Sequence, residues 1–306
     1  MNAGARHRFL TADVFTGRPF AGNQLAVFPD ARAIPEEHLG AIAREFNLSE
    51  TVFVYPPAES RHARRLRIFT PAEELPFAGH PTVGTAWVLA ALGEIPLLGA
   101  ETRIVLEEGV GPVPVVIRGA AKQPTFAQLT AAKLPEIGPP PPGRTFLAEM
   151  LGLDPADILG GMTAPQAVSC GLPFLFVPLR DRDAVRRARI RMEHWESTLK
   201  SYWAPQVMVF SRDPEQPGAD VRARVFVPGL AVPEDPATGS AAVALGGYLA
   251  AREGLADGEL KWLVEQGVEM GRPSYLHVEV QKTGGEVTAV RVGGECVLVS
   301  EGTIAA

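Results

Sequence analysis

Cysteine is nearly absent from this chain. There are two in 306 residues, Cys170 and Cys296, far apart and with no Cys-x-x-Cys pair. That excludes a disulfide scaffold and a thiolate zinc site, and makes a reduced, cytoplasmic compartment the default. A basic excess is missing too: 29 Lys and Arg against 35 Asp and Glu leave a net charge of −6, which argues against a nucleic-acid partner. Met1 to Leu10 carries Arg6, His7 and Arg8 with no apolar stretch behind them, so it does not read as a secretory signal. Leu75 to Gly93 holds no charged side chain over 19 residues, but Pro76, His80, Pro81 and three glycines interrupt it. It reads as a loop followed by a buried helix, not as a membrane span. There is no Walker loop, no Gly-x-Gly-x-x-Gly and no Gly-x-Ser-x-Gly elbow, so neither a phosphate cradle nor a hydrolase nucleophile is expected.

What is present is ordinary globular composition, 46% hydrophobic and 21% charged, with 31 glycines and 28 prolines that call for many turns. The length suggests roughly two domains. Phe9 to Phe28 reads as strand, glycine-rich turn and strand. Pro35 opens a helix with Leu39, Ile42, Ala43 and Phe46 on one face, and Asn47 stops it. Strands follow at Thr51–Tyr55 and Arg65–Phe69, and two more around Gly109 to Pro112. Arg118 to Gly143 shows few sustained patterns, and its run of prolines, Pro139 to Pro142, is the candidate inter-domain linker. Further on come a helix near Phe146–Leu151, strands at Phe174–Leu179, Val207–Phe210 and Val221–Val227, and an Arg-rich helix around Asp183–Ile190. Ser274 to Ile304 reads as three strands broken at Gly284-Gly285 and Gly293-Gly294. With tight turns this frequent, the sheets should be mostly antiparallel.

One pattern occurs twice. Arg67-Ile68-Phe69-Thr70-Pro71 matches Arg224-Val225-Phe226-Val227-Pro228 at an offset of 157 residues. His80-Pro81 with Gly84-Thr85-Ala86 matches Asp235-Pro236 with Gly239-Ser240-Ala241 at an offset of 155. Each copy is a strand, a loop with a polar residue before proline, and an apolar helix, which implies a duplicated domain. The helices Thr82–Leu92 and Ala241–Ala250 are apolar on every face, so each must be buried all round, as in a sheet curled about one central helix. Their free backbone N–H groups, facing one cleft, would suit a carboxylate.

Three ionisable residues lie beside these glycine-rich turns: Glu50, His80 and Asp235. On the residues alone each has a plainer role. Glu50 can be a solvated strand end, His80 a hydrogen-bonded structural histidine, and Asp235 a helix cap or turn former. The repeat favours His80 and Asp235, which hold the same point of a duplicated motif. The basic cluster Arg61–Arg67 reads as an exposed strand face, His194 as surface, and both cysteines as packed core thiols.

Together these motifs resemble the PhzF family, phenazine-biosynthesis-like proteins related to diaminopimelate epimerase. They are Asp13-Val14-Phe15 through Phe20-Ala21-Gly22-Asn23-Gln24-Leu25-Ala26-Val27, Asn47-Leu48-Ser49-Glu50-Thr51, Phe69-Thr70-Pro71 with Glu74 through Ala86, and Glu234-Asp235-Pro236-Ala237-Thr238-Gly239-Ser240-Ala241. The resemblance covers nearly the whole chain. It implies an α+β, diaminopimelate-epimerase-like fold of two similar domains, each a curved, mostly antiparallel sheet around a central helix. The first would span 1–120 plus C-terminal strands at about 288–306, the second 121–287, with the active site in the cleft between them. The matching glutamate in the phenazine enzyme is the acid/base of a cofactor-free isomerisation of trans-2,3-dihydro-3-hydroxyanthranilate, so the resemblance gives that role to Glu50. It makes His80 and Asp235 residues that hold the substrate and assist proton movement. It makes Asn23, Gly79, Gly239 and Ser240 substrate contacts, the last three to its carboxylate. It implies no metal and no cofactor, a small carboxylated substrate, no nucleic-acid or membrane partner, and a homodimer. Relatives of this fold that racemise with two cysteines carry them at the glycine-rich loops; here His80 and Asp235 stand there instead. Two alternatives remain open: a non-catalytic protein binding a ligand or a protein partner, and an amino-acid epimerase.

Overall fold

An α-helix with no polar face has to be covered on every side, and this chain covers two of them, each within its own unit. The computed structural model describes residues 5–230 and 232–306; the first four residues of the N-terminal stretch read above lie outside them. Unit 1 runs to Ala132 and is rejoined by Gly293–Ala306, and unit 2 is Lys133–Val292. Among the described residues no helix is long and apolar enough to cross a membrane.

Unit 1 begins with β1 (Arg6–Val14), β2 (Asn23–Phe28), α1 (Glu36–Phe46), β3 (Glu50–Tyr55), β4 (Arg64–Phe69) and the short β5 (Glu74–Leu75). Then come α2 (Gly79–Leu92), β6 (Glu101–Glu108), β7 (Gly111–Ala120) and β8 (Gln123–Thr130). Unit 2 repeats the plan. It has β9 (Glu136–Ile137), α3 (Arg144–Leu151), β10 (Gln166–Ser169), β11 (Pro173–Pro178), α4 (Arg182–Arg187), α5 (Met192–Thr198) and β12 (Gln206–Ser211). It continues through β13 (Val221–Val227), β14 (Val232–Asp235), α6 (Gly239–Ala250), β15 (Gly258–Gln266), β16 (Ser274–Thr283) and β17 (Glu286–Gly294). The last strand, β18 (Cys296–Ala305), belongs to unit 1 and lies antiparallel to β1 along its whole length.

The pairings match one for one. β1–β2 corresponds to β10–β11, β3–β4 to β12–β13, β4–β5 to β13–β14 and β6–β7 to β15–β16, all antiparallel. Each unit also has two parallel pairs, β2–β3 and β4–β6 in the first, β11–β12 and β13–β15 in the second. Parallel neighbours need a crossover. Here α1 and α2 supply it in unit 1, and α4–α5 and α6 in unit 2. The second crossover helix of each unit is the apolar one. α2 packs against β1, β2, β3, β7, β8 and β18; α6 packs against β10, β11, β15 and β16. Side chains alternate along β2, so Leu25 faces α2 while Phe28 turns to the other side. There it joins Phe53, Phe69, Leu39 and Ile42 in a cluster under α1. Asn47, in the left-handed conformation at φ 49°, ends α1.

The duplication extends to side chains that the sequence gave no reason to pair. Arg67 forks onto Glu74, both bonds 2.7 Å, with its guanidinium over the Phe69 ring. Arg224 forks onto Glu234, both bonds 2.8 Å, over the Phe226 ring. In unit 1 a second carboxylate, Glu36, completes the shell of the arginine. In unit 2 the backbone carbonyls of Val185, Arg186 and Ala188 do so at the end of α4.

Five sequence expectations need correction. The prolines at 139–142 are not a linker: Gly138 donates to the Ala167 carbonyl, Tyr202 bonds to the Pro139 carbonyl, and Gly138 rests on Trp203, all inside unit 2. The first division of the chain falls after Ala132, not 120, because the unpatterned segment contains β8, which closes the β6–β7–β8 meander. It falls before Gly293, not 288. The last strand break is at Glu295, with Gly293 and Gly294 inside β17. His194 is half-buried, its ring edge-on to Phe146.

Close approach of α2 to its sheet yields a test. A Cβ on Gly84 would stand 2.6 Å from both Leu25 Cδ2 and Val14 Cγ2. Gly84→Ala should therefore cost about 1–3 kcal/mol through overpacking. On α1, the nearest atom to a Cβ at Gly40 is the mobile end of Arg44 at 3.5 Å. Gly40→Ala should stabilise by about 0.5–1 kcal/mol. Urea unfolding of both variants checks this, and equal effects at the two positions would refute it.

Candidate active site

In unit 1 the topology brings four of the expected residues together. β2 and β3 run parallel with Leu25 opposite Glu50, so Asn23 and Glu50 both stand at the entry ends of adjacent strands. β4 runs back so that Phe69 lies opposite Thr51, and the chain enters α2 from that same end, placing Gly79 and His80 in its first turn. The β1–β2 turn is pinned by the Phe20 N–H donating to Asp13 Oδ2 at 2.7 Å. Gly22 adopts φ +65°, and any Cβ there would strike the Val14 carbonyl oxygen at 2.3 Å. Asn23 is thereby held in place, fully buried.

His80 is the centre of this group. Its ring is buried, with Nδ1 3.2 Å from Asn23 Nδ2 and Nε2 3.3 Å from Glu50 Oε2. The Nε2 contact has the distance of an ion pair but not the alignment of a hydrogen bond. Burial pushes the ring pKa down to about 3, and backbone hydrogen bonding with Gln24 opposes this only in part. The imidazole is therefore neutral at physiological pH. Glu50 is half-buried at the first position of β3, beside an apolar strand.

The remaining expected residues lie in unit 2, around the start of α6. Asp235 ends β14 and is nearly buried. Thr238 donates to its Oδ2 at 2.5 Å, and the Gln266 side-chain amide donates to its carbonyl at 2.8 Å and to Thr238 Oγ1 at 3.1 Å. Gly239 and Ser240 are the first two residues of α6, whose N-cap, Thr238, uses its hydroxyl on Asp235 and not on the helix. Thr238 was visible as part of a quoted motif. Gln266 was not: it lies on β15, 28 residues further on, with no local signal. Both cysteines are buried, and burial pushes the Cys170 thiol up to about 12 and raises that of Cys296 as well, leaving neither as a ready thiolate.

The family model for phenazine biosynthesis-like protein, PhzC–PhzF, matches residues 12–302. An uncharacterized isomerase of Mesorhizobium japonicum is 40% identical over 302 residues, covering 97% of this chain and 98% of that protein. The trans-2,3-dihydro-3-hydroxyanthranilate isomerase of Pseudomonas aeruginosa is 35% identical, covering 97% and 98%. The crystal structure of a Bacillus anthracis phenazine biosynthesis protein of the PhzF family superposes with a TM-score of 0.88 at 26% identity, covering 99% and 100%. The α+β fold is thus the diaminopimelate-epimerase-like one, and the chain is an isomerase. It belongs to the phenazine biosynthesis-like (PhzF) family.

The neutrality of His80 can be measured. A ring pKa near 3 lies below the ordinary value of 6.5, so between these two values the unfolded chain binds a proton that the folded chain does not. This contribution to stability is complete above pH 6.5 and is lost as the pH falls towards 3. His80→Asn should flatten the acid side of the stability curve. A His80 ring signal titrating near 6.5 by NMR would sink the assignment.

Proposed function

We propose that this isomerase moves a proton on a small carboxylated metabolite, with Glu50 as the acid/base. The observation supporting this most is the Glu50 carboxylate set 3.3 Å from a buried, neutral histidine that is itself held by Asn23. A neutral ring carries one N–H. Its Nδ1 lies by the Asn23 amide and its Nε2 faces Glu50. His80 then orients the carboxylate, and the developing acid can be stabilised without moving a second charge. Glu50 takes the proton from one carbon of the substrate and returns it to another, so atoms balance and no redox equivalent is required. Carbon acids ionise slowly, and a positioned base contributes about 10²–10⁴-fold.

Asp235, Gly239 and Ser240 are assigned, from the matching motif, to holding the substrate and its carboxylate, as is Gly79. The Thr238–Gln266 bonds fix Asp235 for such a task. Thiol-based racemisation is disfavoured by the two buried, high-pKa cysteines. Homodimerisation and a cytoplasmic location belong to the same reading.

Glu50→Gln keeps the size of the side chain and removes its basicity. Turnover should fall about 10²–10⁴-fold while ligand binding largely persists. Glu50→Asp should lose up to about 10²-fold, because the carboxylate retreats by about an ångström. The assay is incorporation of solvent deuterium into cyclic or amino-acid carboxylates that bind. Wild type should label one carbon and Glu50→Gln none. Equal exchange by both removes Glu50 as the base. Tight binding with no exchange by either favours a binding protein.

A further inference from the structure

Glu107 and Glu108 are neighbours on β6, and alternation along the strand sends them to opposite sides. Glu107 accepts the Ala58 and Glu59 N–H groups and contacts His62, which together hold its carboxyl down at about 2. Glu108 points inward and is buried. Its Oε1 is 2.7 Å from Thr82 Oγ1, and the same hydroxyl is 2.7 Å from the Ala78 carbonyl oxygen.

A hydroxyl has one proton, and the Ala78 carbonyl can only accept. If Thr82 donates to Ala78, the hydrogen between Thr82 and Glu108 must come from Glu108. Its other oxygen, Oε2, is buried without a partner, an arrangement far more costly for a carboxylate than for a carboxylic acid. We propose that Glu108 is a positioning residue for the reaction: as a neutral acid it donates to Thr82, commits that hydroxyl to the Ala78 carbonyl, and so fixes the turn that presents Gly79 and His80. This rests on the reading of His80 and Glu50 given above. The turn has reason to need it. Ala78 is the N-cap of α2 and makes no side-chain cap, and the Thr82 N–H reaches its carbonyl at only 3.3 Å.

Burial raises the Glu108 pKa to about 8. The charged groups of the elements around it are engaged elsewhere: on β4, which pairs with β6, Arg64 lies by Glu94, Arg65 over the Tyr55 ring and Arg67 on Glu74 and Glu36. His80 is the one titratable side chain of α2 and is neutral, β8 carries none, and on β7 Arg118 is engaged with Glu101. Glu107 is turned to His62.

Two measurements test this. In the first, turnover of wild type should fall on the alkaline side with a midpoint near 8. Glu108→Gln, which still donates but does not titrate, should lose that limb. Glu108→Ala and Thr82→Val should lower kcat about 10–10²-fold with little change in KM, and Thr82→Ser should restore it. The second needs no substrate. A folded pKa raised above the ordinary 4.5 gives stability that is complete below 4.5 and lost as pH rises through about 8. From pH 6.5 to 8 the His80 contribution is constant, so wild type should lose stability there relative to Glu108→Gln. Parallel stability curves, or an unchanged alkaline limb in Glu108→Gln, overturn the proposal. The two readings fail separately: turnover surviving Glu50→Gln overturns the base and leaves the stability curves untouched.

Discussion

The constraint on which the rest depends is that each unit buries a helix with no polar side to spare. α2 contains no Asp, Glu, Lys or Arg, and neither does α6. Such a helix gains nothing from water on any face, so the strands before and after it have to curl round it. That in turn fixes the connectivity. The helix must be a crossover between parallel strands, β4 to β6 or β13 to β15, so that both of its ends are delivered to the sheet. It also fixes composition at the points of closest approach, where Gly84 meets Leu25 and Val14, and Gly246 meets Val278 and Val280. The first turns of such helices have unsatisfied N–H groups in dry surroundings. In both units the residues of chemical interest gather at that turn.

Around the first turn of α2, dryness also sets protonation. Desolvation disfavours whichever form is charged, so it drives a base and an acid in opposite directions. His80 loses its proton and Glu108 keeps its own. The turn is therefore held by neutral hydrogen bonds, which direct groups without adding a field that would compete for the proton in transit. Unit 2 solves the same problem differently, with an amide and a hydroxyl, Gln266 and Thr238, around Asp235.

Much of this was legible in the sequence where the signal was local. The apolar helices, the duplicated Arg-x-Phe strands and the glycine-rich turns each occupy a short stretch, and their order revealed the two-fold plan. The family resemblance singled out Asn23, Glu50 and His80, and the structure shows that strand register brings these three together. What stayed hidden depends on distant partners. Gln266 reaches Asp235 from another strand, and Glu108 looks like the neighbouring Glu107 until alternation is applied. β8 went unseen because Pro124 stands inside it and its buried positions do not alternate cleanly. The four prolines after Gly138 suggested a free tether, since a proline run looks the same whether it is free or tied down, as here by Tyr202 at the Pro139 carbonyl.

The return of β18 to β1 has a consequence for the order in which the protein can be made. Arg6 pairs with Ala305, so unit 1 is stitched along one edge by the first and last strands of the chain. Unit 2 is one continuous stretch, Lys133–Val292, so all of it is made before β18 is. Unit 1 is begun first, yet its β1 edge stays bare until β18 has followed unit 2. During that interval an unpaired strand is an invitation to other chains. Synthesis from N to C thus reverses the expected sequence of completion, and the half of the molecule that carries Glu50 and His80 is the last to close.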